Sequence, residues 1–122
     1  MRNHTRTASA AATVGTLAWT APEVLAAGAR FSLKSDMYAF AVTTWEVFAR
    51  SDAPFGPAVD GAYIVAAAQM GMRPVLPPMV PSRLARLVAE CWHAEPAARP
   101  GFDEVVRRLQ SLGRTSAAVT AA

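Results

Sequence analysis

Apolar positions divide the chain into four helical stretches separated by proline- and glycine-bearing connections. From Asp36 to Ala49 they fall on nearly every side of a helix, at Met37, Tyr38, Phe40, Ala41, Val42, Trp45, Val47 and Phe48, with Ser35 placed to cap its start. A helix so apolar is expected to be buried on most faces. The prolines and glycine of "SDAPFGP", residues 51–57, end it. A second helix is predicted to start at the cap Asp60 and stop at Gly71, before the extended, proline-bound "RPVLPP" of residues 73–78. A third, capped by Ser82, carries Leu84, Leu87, Val88 and Cys91 at helical spacing and is expected to end at Pro96. In the fourth, Phe102, Val105, Val106, Leu109 and Leu112 recur on one face, and Gly113 is placed to close the C-terminus. Residues 1–14 lack periodicity and predict a mobile segment, and 113–122 predict a disordered tail. With no strand of useful length, the expected fold class is all-α.

Composition narrows the picture. A chain of 122 residues with 52% hydrophobic and 17% charged residues has the makings of one globular core. The net charge of +3 comes from arginine, Lys34 being the sole lysine, and these arginines are scattered rather than gathered into a basic stripe. A nucleic-acid partner is therefore not expected. No apolar run reaches the roughly 20 residues that a membrane span needs, since Asp36 and Glu46 bracket the best candidate. Cys91 has no cysteine partner, and His4 and His93 are isolated, so no metal site is expected. Residues 1–22 carry no acid, a composition shared with organelle transit peptides.

Several separated segments share one further pattern. "GTLAWTAPEVL" at 15–25, "KSDMYAFAVTTWEVF" at 34–48, "APFG" at 53–56, "GMRPVLP" at 71–77 and "LVAECWHAEPAARPGFDEVVRRL" at 87–109 occur in that order. Together they resemble the protein-kinase catalytic domain from the end of its activation segment onward, with the Ala-Pro-Glu signature at Ala21, Pro22 and Glu23. The resemblance covers about residues 13–112. It implies the helical C-terminal lobe of that fold at 15–112, an activation-segment remnant at 1–14, and no N-terminal lobe. A lone Ala-Pro-Glu carries little information, whereas ordered segments bearing the Cys91-Trp92 and Arg99-Pro100 pairs are specific.

The resemblance also assigns roles. Glu23 matches the carboxylate that pairs with an arginine ahead of the last helix, and Arg99 occupies that place. Both adjoin prolines in apolar stretches, where an unpaired charge is expensive. Thr16 matches the threonine that Ser/Thr kinases set beside the catalytic aspartate, and with Trp19 and the Cys-Trp pair it points to the tyrosine-kinase-like group of Ser/Thr kinases. Taken alone, Thr16 is equally a turn-capping residue. Asp36 matches the helix F carboxylate that holds the catalytic loop, though an acid in a first helical turn also suits the macrodipole. Trp45, Trp92 and Phe102 read as core. Thr13 is a candidate activation-loop phosphosite. Ala41 stands where relatives often carry glycine and Leu17 where they often carry proline.

Phosphoryl transfer in this family uses a glycine-rich phosphate loop, a strand lysine, a catalytic-loop Asp and Asn and a magnesium-binding Asp-Phe-Gly. None of these motifs occurs in the sequence, so no catalytic, cofactor-binding or metal-binding residue is expected in this chain. ATP and magnesium are expected for the full-length family member, with protein Ser/Thr as substrate. The alternative expectation is a non-catalytic docking module that uses the Asp60 to Gly71 region and the Trp19 loop to bind a kinase-related protein. A cytoplasmic location is expected from the family's need for ATP.

Overall fold

The computed structural model describes residues 17–26 and 30–121. Thr13 and Thr16, and the predicted mobile segment 1–14, lie outside the described residues. Five α-helices follow a single 3-10 turn at Leu17–Trp19: α1 (Pro22–Leu25), α2 (Leu33–Ala49), α3 (Gly61–Gln69), α4 (Ser82–Cys91) and α5 (Phe102–Ala121), with a second 3-10 turn at Pro96–Ala98 between α4 and α5. No strand occurs among the described residues.

The caps explain where these helices begin and end. α2 starts three residues before the predicted point, because Ser32 rather than Ser35 is its N-cap. The Ser32 hydroxyl accepts from the Ser35 backbone N–H at 3.1 Å and the Ser35 hydroxyl accepts from that of Ser32 at 2.7 Å, a reciprocal box that satisfies two otherwise unpaired donors. At its far end Arg50 turns into the left-handed region, φ 53°, while its N–H still reaches Glu46. Asp60 caps α3 as expected, its carboxylate accepting from Tyr63 N–H at 2.9 Å. Gly71, at φ 91°, lets Met72 N–H bond back to Ala67 and Gly71 N–H to Ala68, closing the helix end.

Two predicted ends are corrected. α4 has Pro81 as N-cap, with Ser82 already inside the helix, and it stops at Cys91 rather than running to Pro96, which instead opens a 3-10 turn. α5 passes through Gly113 and stays helical to Ala121, into the stretch expected to be a tail. Gly113 is tolerated because helical hydrogen bonding needs no side chain.

The core lies where α4 crosses α2 and α5 closes over α4. Met37, Tyr38, Ala41, Val42 and Trp45 form its α2 stripe, Leu87, Val88 and Cys91 its α4 stripe, and Val105 enters from α5. Burying side chains such as Val42 or Leu87 stabilises by about 1.5–3 kcal/mol each. Burial of α2 on most faces is not found: Leu33 and Val47 are exposed, and Phe40 and Phe48 are only half-buried. Phe102 is likewise half exposed rather than in the core, because at the first position of α5 it precedes the turn that meets α4.

Candidate functional site

The Arg99 guanidinium is buried just beyond the Pro96–Ala98 turn and is heavily hydrogen-bonded. Two of its nitrogens fork onto the Glu23 carboxylate at 2.7 and 2.8 Å. One of these also donates to the Lys34 carbonyl, and Nε donates to that of His93, both at 2.9 Å. Lys34 Nζ in turn donates to the Arg99 carbonyl. One cation thus ties α1 and the first turn of α2, 76 and 65 residues away from it along the chain, to the segment after α4. A buried guanidinium is tolerable only when its donors are used in this way, and the planar fork suits a carboxylate.

A second arginine extends the cluster. Arg73 donates from Nε to the Trp92 carbonyl at 2.7 Å and from one terminal nitrogen to those of Ala68 and Met72, at 2.9 and 2.8 Å. The Tyr38 ring meets both cations, its centroid 5.1 Å from Arg73 and 5.3 Å from Arg99, within cation–π range. Its hydroxyl is buried without a hydrogen-bond partner among the described residues. Burial pushes the Tyr38 hydroxyl pKa up, against the pull of Arg73 and Arg99. At Glu23 burial pushes up, but the hydrogen bond and charge of Arg99 prevail, and the carboxyl sits below the usual glutamate range. Burial lowers Arg73 from the ordinary arginine value.

This network anchors the segment that forms part of a cleft beside the Ala-Pro-Glu stretch. Ala18 and Trp19 from the first turn face Pro54 and Phe55 of the connection after α2 and Ile64 of α3, with Asp52 at the edge, around an open volume of about 360 Å³. Its lining mixes apolar side chains with the Asp52 carboxylate.

The residues expected from sequence are distributed as follows. Ala21 is buried, Pro22 is the first residue of α1, where its missing N–H costs nothing, and Glu23 meets Arg99. Trp45 is buried and donates from its indole N–H to the Val75 carbonyl at 2.7 Å. Trp92 is buried, and Trp19 is half-buried beside the cleft. Asp36 stands exposed in the first turn of α2, its carboxylate making no hydrogen bond or ion pair among the described residues. Sequence reading missed Tyr38 and Arg73 as members of the cluster; the only signal for Arg73 was its place in "GMRPVLP", a cation set between an apolar residue and a proline. Among the described residues no three His, Cys, Asp or Glu side chains gather as metal ligands, and no helix is long and apolar enough to cross a membrane.

A helical base with an internal arginine–carboxylate fork that pins an Ala-Pro-Glu loop defines the class: the helical lobe of a phosphotransferase fold. The family model for protein tyrosine and serine/threonine kinases matches residues 1–109, and the chain belongs to that family. Among its relatives, a probable serine/threonine-protein kinase, drkC, of Dictyostelium discoideum is 36% identical over 111 residues, 91% of this chain and 15% of that protein. The megakaryocyte-associated tyrosine-protein kinase of Mus musculus is 42% identical over 99 residues, 78% of this chain and 19% of that protein. Ephrin type-A receptor 10 of the same species is 36% identical over 96 residues, 79% of this chain and 9% of the receptor. The chain therefore spans less than a fifth of the length of these relatives.

Proposed function

We propose that this chain forms the substrate-facing helical part of a Ser/Thr protein kinase that acts in the cytoplasm, transferring the γ-phosphoryl group of ATP to protein hydroxyls with magnesium. The groups that hold ATP and metal are supplied by sequence other than these 122 residues, which contain no glycine-rich loop, His-Arg-Asp or Asp-Phe-Gly. Such groups provide the positioning and charge stabilisation of phosphoryl transfer, so without them the chain has no catalytic activity.

The observation that carries this reading is the Glu23–Arg99 fork, which fixes the Ala-Pro-Glu loop against the helical base with Trp19 at an open cleft. In this role the pair is structural: it holds the loop on which a peptide substrate rests, while Ala18, Trp19 and Phe55 receive an apolar side chain of that peptide. The exposed Asp36 favours the same view, because its carboxylate, unpaired among the described residues, is placed to hold the backbone of a catalytic loop. The match of Thr16 to the threonine of Ser/Thr kinases supports Ser/Thr over Tyr selectivity, in line with the relative named as a serine/threonine kinase.

The test is a phosphotransfer assay with radiolabelled ATP and magnesium, run on the 122-residue chain and on the longest reading frame that contains it. The expected result is no incorporation by the short chain, and phosphoserine or phosphothreonine, not phosphotyrosine, from the longer product. ATP-dependent incorporation by the short chain, or phosphotyrosine as the product, would overturn the corresponding part of the reading.

A further inference from the structure

Asp52 stands at the junction of two depressions. It edges the cleft of Trp19 and Phe55, and it also lines a wider opening of about 580 Å³ with Glu46, Arg50 and Ser51. Neither the Asp52 nor the Glu46 carboxylate makes a hydrogen bond or ion pair among the described residues. Arg50, placed where helical spacing would give Glu46 a partner, has left-handed backbone, φ 53°, and ion-pairs with neither acid. Two carboxylates against one guanidinium leave this opening with one net negative charge, on a chain whose own net charge is +3. Glu23, Glu90 and Glu104, by contrast, are each committed to an arginine.

The backbone around Asp52 holds it in place. On one side Arg50 N–H bonds to the Glu46 carbonyl at 2.9 Å and ends α2. On the other the Ser51 hydroxyl accepts from Ala53 N–H at 3.1 Å, and Gly56 N–H closes the Ala53–Gly56 turn on the Ala53 carbonyl at 3.0 Å. Pro54 fixes the second position of that turn, and Gly56, at φ 108°, leads out of it. These bonds set the position of Asp52 without using its carboxylate. The same turn carries Phe55 to the Trp19 cleft, so an apolar contact and an acid are mounted on one rigid piece. A charge fixed in advance loses little conformational freedom when a partner arrives.

We infer that Asp52 selects substrate segments that carry Lys or Arg beside the apolar side chain entering the Trp19 cleft. The inference rests on the proposed substrate-facing role of that cleft and adds to it the charge class of the segment. Asp52 meets the cation at the boundary of the two depressions, and Glu46 adds a second carboxylate on the wider side. Arg50 at the same opening keeps the attraction modest and repels a cation that strays from Asp52. An acidic or phosphorylated residue at that point meets a carboxylate that has no cation to neutralise it, and is rejected. An exposed pair of this kind governs choice of partner more than affinity, and salt weakens it.

The experiment is a heteronuclear NMR titration of the 122-residue chain, following the Trp19 indole N–H, with the peptides acetyl-Xaa-Gly-Leu-Gly-Xaa-amide in which Xaa is Arg, Gln or Glu. Alternate residues of an extended peptide share one face, so an Xaa on each side of Leu removes any dependence on chain direction. The Arg peptide is expected to bind about fivefold more tightly than the Gln peptide, the upper range of one exposed ion pair, and the Glu peptide more weakly than either. Raising the salt concentration should shrink the Arg preference. Asp52→Asn is expected to reduce it to about twofold or less and Asp52→Arg to reverse it in favour of Glu, while Asp103→Asn, on α5, leaves it unchanged. Asp52 is exposed, so these replacements remove no packing. Equal affinity for all three peptides with the Trp19 signal moving, or an Arg preference that survives both Asp52 variants, overturns the inference and leaves the cleft reading standing. A Trp19 signal that none of the peptides moves refutes the cleft reading itself, and the inference with it.

Discussion

Replacing Glu23 with Ala leaves the Arg99 guanidinium, whose side chain is 0% exposed, without its only anionic partner among the described residues. Breaking a fully buried ion pair costs about 3–5 kcal/mol, against about 0–1 kcal/mol for a solvated one. Glu23 lies between these limits, with 25% of its side chain exposed, and Arg99 keeps its bonds to the carbonyls of His93 and Lys34. Water entering at the Glu23 position would solvate part of the cation, so the expected loss is about 2–3 kcal/mol, nearer the lower limit of the buried case. For a chain of this size that lowers the melting temperature by on the order of 10 °C. Urea denaturation followed by far-UV circular dichroism measures the change directly, as a lower midpoint with an unchanged slope.

The same pair has a pH signature. Its folded-state pKa lies below the usual glutamate value, so the unfolded chain takes up the proton first as the solution is acidified. The pair's contribution is complete well above the unfolded pKa of about 4.3 and is lost as pH falls below it through the folded value. The Glu23→Ala chain should therefore show a flatter stability profile on acidification, its deficit relative to the parent shrinking toward low pH. A midpoint within about 0.5 kcal/mol of the parent near neutral pH, the range of an ordinary surface change, would refute the fork as a structural tie.

Further outcomes follow from single contacts. Tyr38→Phe removes a buried hydroxyl that has no partner and is expected to be neutral or stabilising by up to about 1 kcal/mol in urea melts, since no bond is lost. Ser32→Ala removes one half of the α2 capping box and should cost about 1 kcal/mol by the same measurement. Gly113→Ala places a methyl group where nothing lies within 4 Å, inside a helix, and is expected to stabilise by about 0.5–1 kcal/mol and raise helix content. Cys91 is buried and its thiol pKa is pushed up to about 11, so a thiol reagent at mildly alkaline pH should label the native chain only as fast as it unfolds; rapid labelling would place Cys91 at the surface.

Much of this molecule was legible along the chain, and the reason is locality. Asp60 as a cap, Gly71 as a stop and the Leu84, Leu87, Val88, Cys91 stripe depend on neighbours within one or two helical turns, where spacing alone decides which groups meet. Ser32 was overlooked for Ser35 because either serine can cap and only the reciprocal bond between them distinguishes the two. Gly113 was read as a terminus because glycine is a frequent helix stop, yet the hydrogen-bonded ladder continued past it. The Glu23–Arg99 fork, though 76 residues apart in sequence, was anticipated from a family pattern and not from spacing.

By itself, then, the order of residues determined the all-α class, most of the helix positions and the identity of the clamped charges. Tertiary structure alone decided that the Tyr38 ring meets both Arg73 and Arg99, that the Trp45 indole reaches the carbonyl of Val75, that Phe102 and Val47 face outward, and that Arg83, Arg86 and Arg108 share one cleft. Helical periodicity states which face a residue occupies but not which face of another helix it will meet. That second fact is set by how α2, α4 and α5 cross to close a single core, a global choice in which every buried side chain takes part.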